Sequence, residues 1–154
     1  MALLALTGCD AVFSVETPNQ VDFSALKLAD TPNQFLVCPA EFCQRAEPHL
    51  ASPIFEASAN DLRLAWGSVV AAAPRTRREG VFVEGNQVVD IQRSAVFRFP
   101  DIITAQFIVL DDNRVTLAIY SRSVYGQLDF DLNEKRITGW IEALAVELEE
   151  RASR

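Results

Sequence analysis

The chain has 154 residues, of which 49% are apolar and 23% are charged, and its net charge is −7. This composition predicts one globular domain with a core of its own and excludes an intrinsically disordered chain. The acidic balance argues against a nucleic-acid partner, because phosphate backbones are bound by basic surfaces. One basic run, PRTRRE at 74–79, is interpreted as a solvated loop. No apolar run is long enough to span a bilayer.

The first nine residues indicate export. Leu6, Thr7, Gly8 and Cys9 match the pattern at which bacterial lipoproteins are cleaved and acylated, so we expect Cys9 to carry a lipid. Only eight residues precede Cys9 and none is basic, whereas a secretory signal has a basic start and a longer apolar core. The start is therefore interpreted as truncated or mis-assigned. Asp10 favours retention at the inner membrane, so we expect a periplasmic protein anchored to a bacterial membrane.

The chain is expected to divide into a leader, a tether and one domain. Residues 1–9 form the truncated lipoprotein signal, residues 10–34 the tether, and residues 35–150 the folded domain. The tether contains VDFSALKLA, whose phenylalanine and leucines could lie against the domain.

Cys38 and Cys43 favour a disulfide. They flank PAEF, Pro39 bends the short chain between them, and an exported protein meets an oxidising compartment. Two free core thiols are the alternative. A zinc site is disfavoured, because no second cysteine pair accompanies them and His49 is the single histidine. We therefore expect no metal and no cofactor.

A first helix is predicted after Ser58. Ser58 and Asp61 resemble a capping box, and Pro74 ends the helical pattern. The apolar residues at helical spacing are Leu62, Trp66, Val69, Val70 and Ala73.

Alternating residues then predict strands at 88–99 and 114–123, and an apolar run predicts a central strand at 102–110. A short strand at 81–86 could precede them. The fold class is therefore predicted as α+β, with an antiparallel sheet of three to five strands flanked by an N-terminal and a C-terminal helix.

The C-terminal helix is predicted to begin at Asp131. Asp131 is the expected N-cap, with Glu134 three residues later. The buried stripe of this helix is expected to be Ile137, Trp140, Ile141, Leu144 and Leu148.

Arg93 is an anomaly in the strand pattern. Alternation places it beside Ile91 and Phe97, on the face expected to be the core. A buried guanidinium needs a carboxylate, because an uncompensated charge is costly inside a protein. The candidate partners are Asp101 and Asp129, although a bulge could also turn Arg93 outward.

Three strings in the second half resemble one family. IQRS at 91–94, FRFPD at 97–101 and YSRSVYGQLDFDLNEKRI at 120–137 resemble DUF1499, a bacterial and plastid family of unknown function. The last string resembles the family hallmark, which reads S-R-S-x-x-G-x-x-D-x-x-x-N-x-x-R. Its defined positions are matched by Ser121, Arg122, Ser123, Gly126, Asp129, Asn133 and Arg136.

The resemblance covers residues 30–148 and includes PNQFLVCP, which is similar to the entry segment of exported members. One departure is Asp131, where many members carry glycine. The resemblance implies the architecture and export, and it brings no activity, substrate or cofactor.

Three hypotheses follow for the polar string. In the first, the hallmark residues with Arg93 and Asp101 form a structural clasp between the last helix and the sheet, in a protein that is not a catalyst. In the second, Arg122 and Arg136, with Arg93 or Arg75, bind a small anion or a lipid headgroup, assisted by Ser121 and Ser123. In the third, the protein is a hydrolase whose catalytic residues are Asp129 and one of these serines. Protein partners are not predicted.

Overall fold

The computed structural model describes residues 15–16, 18–84, 86–126 and 131–154. The elements, in chain order, are β1 Gln34–Cys38, β2 Leu50–Ala51, β3 Phe55–Glu56, α1 Ala59–Ala72, β4 Thr76–Phe82, β5 Gln87–Arg93, β6 Pro100–Asp111, β7 Arg114–Ser123 and α2 Leu132–Ala152. Over these residues, no helix combines the length and apolar character needed to cross a membrane.

Within the described residues the sheet has seven strands. Six of them follow the order β2-β1-β7-β6-β5-β4, and β3 pairs with the start of β7. Strands β4 to β7 are joined by antiparallel hairpins, whereas β1 and β2 run parallel. The α+β class is confirmed, but the predicted sheet of three to five antiparallel strands is wrong. The missed strands β1, β2 and β3 are short, so they leave no strong local pattern. Strand β1 also pairs with β7, which is more than 80 residues away in the sequence.

Strand β4 corrects the interpretation of the basic run. Residues 76–82 form the edge of the sheet beside β5, instead of a loop followed by a strand at 81–86. An edge strand tolerates this sequence, because charged side chains on its solvent side stay hydrated and discourage pairing with other chains.

The strand predicted at 88–99 also ends early. Strand β5 stops at Arg93, residues 94–99 form a turn, and β6 begins at Pro100. The turn is closed by two bonds: Ser94 N donates to Phe99 O at 2.9 Å, and Phe99 N donates to Ser94 Oγ at 2.9 Å. We call residues 94–99 the hairpin tip.

Helix α1 begins and ends where its local signals indicate. The Ser58 hydroxyl accepts a bond from Asp61 N at 3.1 Å and donates to the Asp61 carboxylate at 2.6 Å. The helix then stops two residues before Pro74. The predicted N-cap at Ser58 is confirmed, and the Asp61 carboxylate bonds the Ser58 hydroxyl in place of the backbone N–H that a capping box uses.

Helix α2 begins differently from the prediction. Asp131 is the N-cap residue, but its φ is 62° and its side chain makes no capping hydrogen bond. A left-handed backbone directs the carboxylate away from the position that a capping box needs. The start of the helix was therefore located correctly, whereas the capping mechanism was wrong.

Both helices pack on one face of the sheet. Trp66 of α1 and Trp140 of α2 meet edge to face, with ring centroids 5.6 Å apart, above the strand residues of the main core. The opposite face is covered by irregular chain instead. There Phe23, from the segment expected to lie against the domain, is buried with Leu36 and Tyr120 in a second, smaller cluster. The two faces of the sheet therefore offer different environments to the arginines.

Candidate functional site

Arg136 lies on the helix-covered face and connects α2 to three strands. Its Nε donates to Gln92 Oε1 at 2.6 Å, and its Nη1 donates to Ser121 Oγ at 3.0 Å and Asn133 Oδ1 at 2.8 Å. Its Nη2 forms an ion pair with Asp101. The side chains of Arg136 and Asp101 are only 8% and 11% exposed. The guanidinium is thus buried, paired and bonded through all three nitrogens.

Asn133 links Arg136 to the end of β7. The Ser121 hydroxyl donates to Asn133 Oδ1 at 2.6 Å, and Asn133 Nδ2 donates to Ser123 Oγ at 3.2 Å and Asn33 O at 3.1 Å. Asn33 in turn donates from Nδ2 to the carbonyl of Gly126 at 2.5 Å, where the positive φ of 86° suits glycine. We call Asp101, Ser121, Ser123, Asn133 and Arg136 the α2 clasp.

The chemistry of the α2 clasp is that of a complete network. A buried charge is tolerated when a countercharge and several hydrogen bonds replace its water, and Arg136 has both. A ligand at Arg136 would have to displace Asp101, Gln92 or Ser121. The geometry therefore supports a structural role for these residues, joining the first turn of α2 to the sheet.

Arg122 does not belong to the α2 clasp. Successive side chains of a strand point to opposite faces, and Ser121 and Ser123 both face Asn133. Arg122 therefore lies on the other face, where it lines a hollow with Glu16 and Tyr125. Arg122 and Arg136 therefore lie on opposite faces of the sheet and cannot bind the same anion.

The remaining members of the polar string are dispersed. Arg93 lies at the end of β5 on the face without helices, and its Nη1 donates to Arg98 O at 3.0 Å. Asp101, one of the two partners considered for Arg93, pairs with Arg136. Asp129, the other, lies outside the described residues, as does Cys9.

A second connection between helix and sheet carries no family motif. Trp66 Nε1 of α1 donates to Asp90 Oδ2 at 3.0 Å, and Arg78 Nε donates to Asp90 Oδ1 at 2.5 Å. Burial raises the pKa of the Asp90 carboxyl, while its bonds to Arg78 and Trp66 oppose that shift. We call these three residues the α1 lock. A buried tryptophan needs an acceptor, and that need was the available sequence signal.

The face of β5 that packs on the helices was also misassigned. Alternation suggested that Ile91 and Arg93 face the core, but Val88 and Asp90 face the helices instead. Ile91 packs in a third cluster on the opposite face, with Val89 and Ile102. Because both faces of the sheet are covered, apolar alternation alone could not tell them apart.

Four arginines meet on the face without helices. They line a cleft of 310 Å³ between the start of β4, the end of β5 and the hairpin tip. Over the part of the chain that the structure describes, no acidic side chain lines this cleft, whose residues are Arg75, Thr76, Arg77, Ile91, Arg93 and Arg98. We call it the arginine cleft. Arg77 is 64% exposed and also reaches Glu79, at 3.0 Å.

The backbone of the arginine cleft is held in an unusual conformation. Arg75 and Arg98 have positive φ angles of 55° and 59°, which non-glycine residues seldom adopt. Reciprocal bonds hold the first of them: Arg93 N donates to Arg75 O, and Arg75 Nε donates to Arg93 O, both at 3.0 Å. The sequence-based hypothesis named Arg93 or Arg75 as an additional anion ligand beside Arg122 and Arg136, and it missed Arg77 and Arg98.

The comparisons now bear on both regions. A family model for proteins of unknown function, DUF1499, matches residues 14–144. The chain belongs to the DUF1499 family. A comparison with curated proteins finds no match for the chain. The DUF1499 match covers the α2 clasp and the arginine cleft, and it begins within the segment interpreted as a tether.

Asp131 begins α2 with a backbone conformation that suits glycine better than other residues. Its φ of 62° lies in the left-handed region, which costs an ordinary residue roughly 1–2 kcal/mol and glycine almost nothing. A glycine at this position would adopt the same backbone without strain. Aspartate is among the residues that tolerate it best.

Cys38 and Cys43 form the predicted disulfide of the DUF1499 domain. Cys38 is buried at the end of β1 and Cys43 follows in the irregular chain that covers the same face. His49 has a structural part nearby, since its Nδ1 accepts a bond from Leu36 N at 3.0 Å and its ring stacks on Phe35.

Proposed function

We propose that the DUF1499 domain is a non-catalytic module that binds an anionic group in its arginine cleft. The observation that carries this proposal is the concentration of charge. Four of the fourteen basic residues of a chain with net charge −7 line one concave site. The planar guanidinium fork matches phosphate and carboxylate oxygens, so this composition suits an anionic ligand.

The energetics of the cleft favour an occupant. Like charges brought together repel one another, and an anion between them would relieve that repulsion. Two of the arginines also hold a backbone conformation that costs roughly 1–2 kcal/mol each, and strained residues of this kind cluster at binding sites. The α2 clasp differs, because its arginine is buried and is bonded to protein through all three of its nitrogens.

A binding role is preferred over hydrolysis because of the state of Ser121. The Ser121 side chain is completely buried, and its hydroxyl is held between Asn133 and Arg136. A nucleophile needs access to substrate and a base that takes its proton. The Ser121 hydroxyl donates to the side-chain amide oxygen of Asn133, which cannot act as that base.

We further propose that the domain acts in the periplasm, anchored to a bacterial membrane through a lipid on Cys9. The Leu6–Cys9 pattern supports this location, and the pairing of Cys38 with Cys43 agrees with an oxidising compartment. Intact mass spectrometry of the protein expressed from its own locus, with the upstream DNA, tests it. Acylation at Cys9 is the expected result, and an unmodified, reduced chain would contradict the location.

The anion site is tested by titrating the full chain with inorganic phosphate at constant ionic strength. Amide NMR spectra of the wild type should show saturable shifts around the arginine cleft. The double substitution Arg75→Ala/Arg98→Ala should abolish these shifts. Arg154→Ala is the matched control, because it removes an arginine that is 72% exposed at the far end of α2. Equal responses in the double variant and the control would refute the site.

A further inference from the structure

The hairpin tip joins the arginine cleft to an exposed apolar ridge. Val96 and Phe97 are 79% and 68% exposed, although both are large apolar residues. Phe97 stacks on Phe99 with ring centroids 5.4 Å apart, and Phe99 lies 6.0 Å from Tyr125. A group of adjacent exposed aromatic and aliphatic side chains suits an interaction surface better than single scattered ones do.

Basic residues surround the ridge. Arg98 lies between Phe97 and Phe99 in the hairpin tip and lines the arginine cleft together with Arg93, the last residue of β5. At the opposite end of the sheet, the turn between β4 and β5 carries Glu84. In the turn between β6 and β7, Asp111 and Asp112 accompany one arginine, Arg114, which pairs with Asp111 at 2.7 Å. The combination of arginine and exposed phenylalanine is thus specific to one end of the sheet.

The hairpin tip is also held in shape before anything binds. Two hydrogen bonds join Ser94 to Phe99, and Arg93 Nη1 bonds the carbonyl of Arg98. A segment that is already ordered loses less conformational entropy on binding than a flexible loop does. The apolar side chains are therefore presented on a fixed support.

We infer that the hairpin tip inserts into an anionic phospholipid bilayer while the arginine cleft takes headgroup phosphates, an inference that rests on the proposed anion site. A bilayer surface supplies both chemistries at once: phosphates attract the arginines, and the acyl boundary accepts Val96 and Phe97. A protruding tip with two apolar side chains offers much less than the roughly 800 Å² that each partner buries in a stable protein complex. The bilayer is therefore the better match.

Sedimentation with lipid vesicles tests this inference. The full chain, expressed without an upstream signal so that Cys9 carries no lipid, is mixed with vesicles of phosphatidylcholine, with or without phosphatidylglycerol. Wild type should sediment only with the anionic vesicles, and added salt should release it. Because the whole chain is acidic, this result requires a local basic surface.

Two variants separate the ridge from a general apolar effect. Val96→Ser/Phe97→Ser should weaken partitioning about ten-fold or more, since transfer of large apolar side chains out of water is lost. Val83→Ser is the matched control: Val83 is 84% exposed, but it lies in the acidic turn between β4 and β5, and its loss should change nothing. Equal binding by both variants would overturn the insertion.

The phosphate titration distinguishes this inference from the proposed function. Val96→Ser/Phe97→Ser should bind inorganic phosphate as wild type does, while Arg75→Ala/Arg98→Ala should lose both phosphate and vesicles. Phosphate binding without vesicle binding would overturn bilayer docking alone. Vesicle binding that survives loss of the two arginines would overturn the headgroup role of the cleft. A dimer of wild type that Phe97→Ser dissociates would assign the ridge to a second copy of the chain and overturn docking too.

Discussion

The two faces of the sheet use arginine in opposite ways. On the helix-covered face, Arg136 and Arg78 each reach a buried carboxylate. Arg136 joins α2 to the strands beneath it, and the Asp90 carboxylate that Arg78 contacts also accepts a bond from Trp66 of α1. On the other face, Arg93 and Arg98 stand with further arginines around a cleft that no described acidic side chain lines. Arginine therefore forms buried ion pairs on one face of the sheet and contributes a positively charged cleft on the other.

The difference follows from what covers each face. Two helices exclude water from the first face, so a charge there persists only with a countercharge and hydrogen bonds. Irregular chain covers the second face, where Arg75, Arg77 and Arg98 are exposed and their guanidinium groups stay in contact with water. In this domain, the arginines that a ligand can reach without breaking a buried ion pair therefore include those on the face without helices.

The largest expected effect is on the helix-covered face. Arg136→Ala should lower the free energy of unfolding by about 3–5 kcal/mol, because it leaves Asp101 charged and buried without its partner. Chemical denaturation monitored by circular dichroism measures this change. The matched control is Arg98→Ala in the arginine cleft, which should cost less than about 1 kcal/mol. Equal losses in the two variants would remove the contrast between the faces.

The second prediction concerns the disulfide on the other face. Cys43→Ser should lower the free energy of unfolding by about 2 kcal/mol, because the unfolded chain gains the freedom of a short loop. A reductant should destabilise wild type by a similar amount and leave the variant unchanged. If reductant did not change the free energy of unfolding of wild type, the disulfide would not contribute to the stability of the fold.

The third effect is smaller and depends on pH. Burial raises the pKa of Asp90, so the folded state binds this proton more tightly than the unfolded state does. The resulting stability is fully present below the unfolded-state pKa and is lost as pH rises through the higher folded-state pKa. As the pH rises above about 4, the usual pKa of an aspartate, wild type should therefore lose stability relative to Asp90→Asn. Parallel stability curves for the two proteins would contradict a shifted Asp90.

The smallest effect should have the opposite sign. Asp131→Gly should raise the free energy of unfolding by up to about 1 kcal/mol, because glycine adopts the positive φ at the start of α2 without strain. Thermal unfolding measures the difference. Asp112→Gly, in the exposed turn between β6 and β7, removes the same charge as a control. A lower melting temperature for Asp131→Gly would show that the aspartate side chain stabilises the helix start.

Local patterns predicted much of the fold. The Ser58 capping box located α1, alternation located β7, and the close spacing of Cys38 and Cys43 indicated their pairing. Each of these features depends on residues a few positions apart, so the sequence contains the whole signal. The family resemblance rested on a contiguous string of the same kind, and the match over residues 14–144 bears it out.

Only the tertiary structure decided how the arginines are used. Arg136 contacts Asp101 and Gln92, which are 35 and 44 positions away in the sequence. Arg136 and Arg122 are separated because they lie on opposite faces of the sheet. Arg75 and Arg98 line one cleft because β4 and the hairpin tip both adjoin the end of β5. The sequence by itself determined which residues are charged and where the helices begin. Strand order and the cover on each face determined which charges are paired, since those depend on contacts between distant parts of the chain.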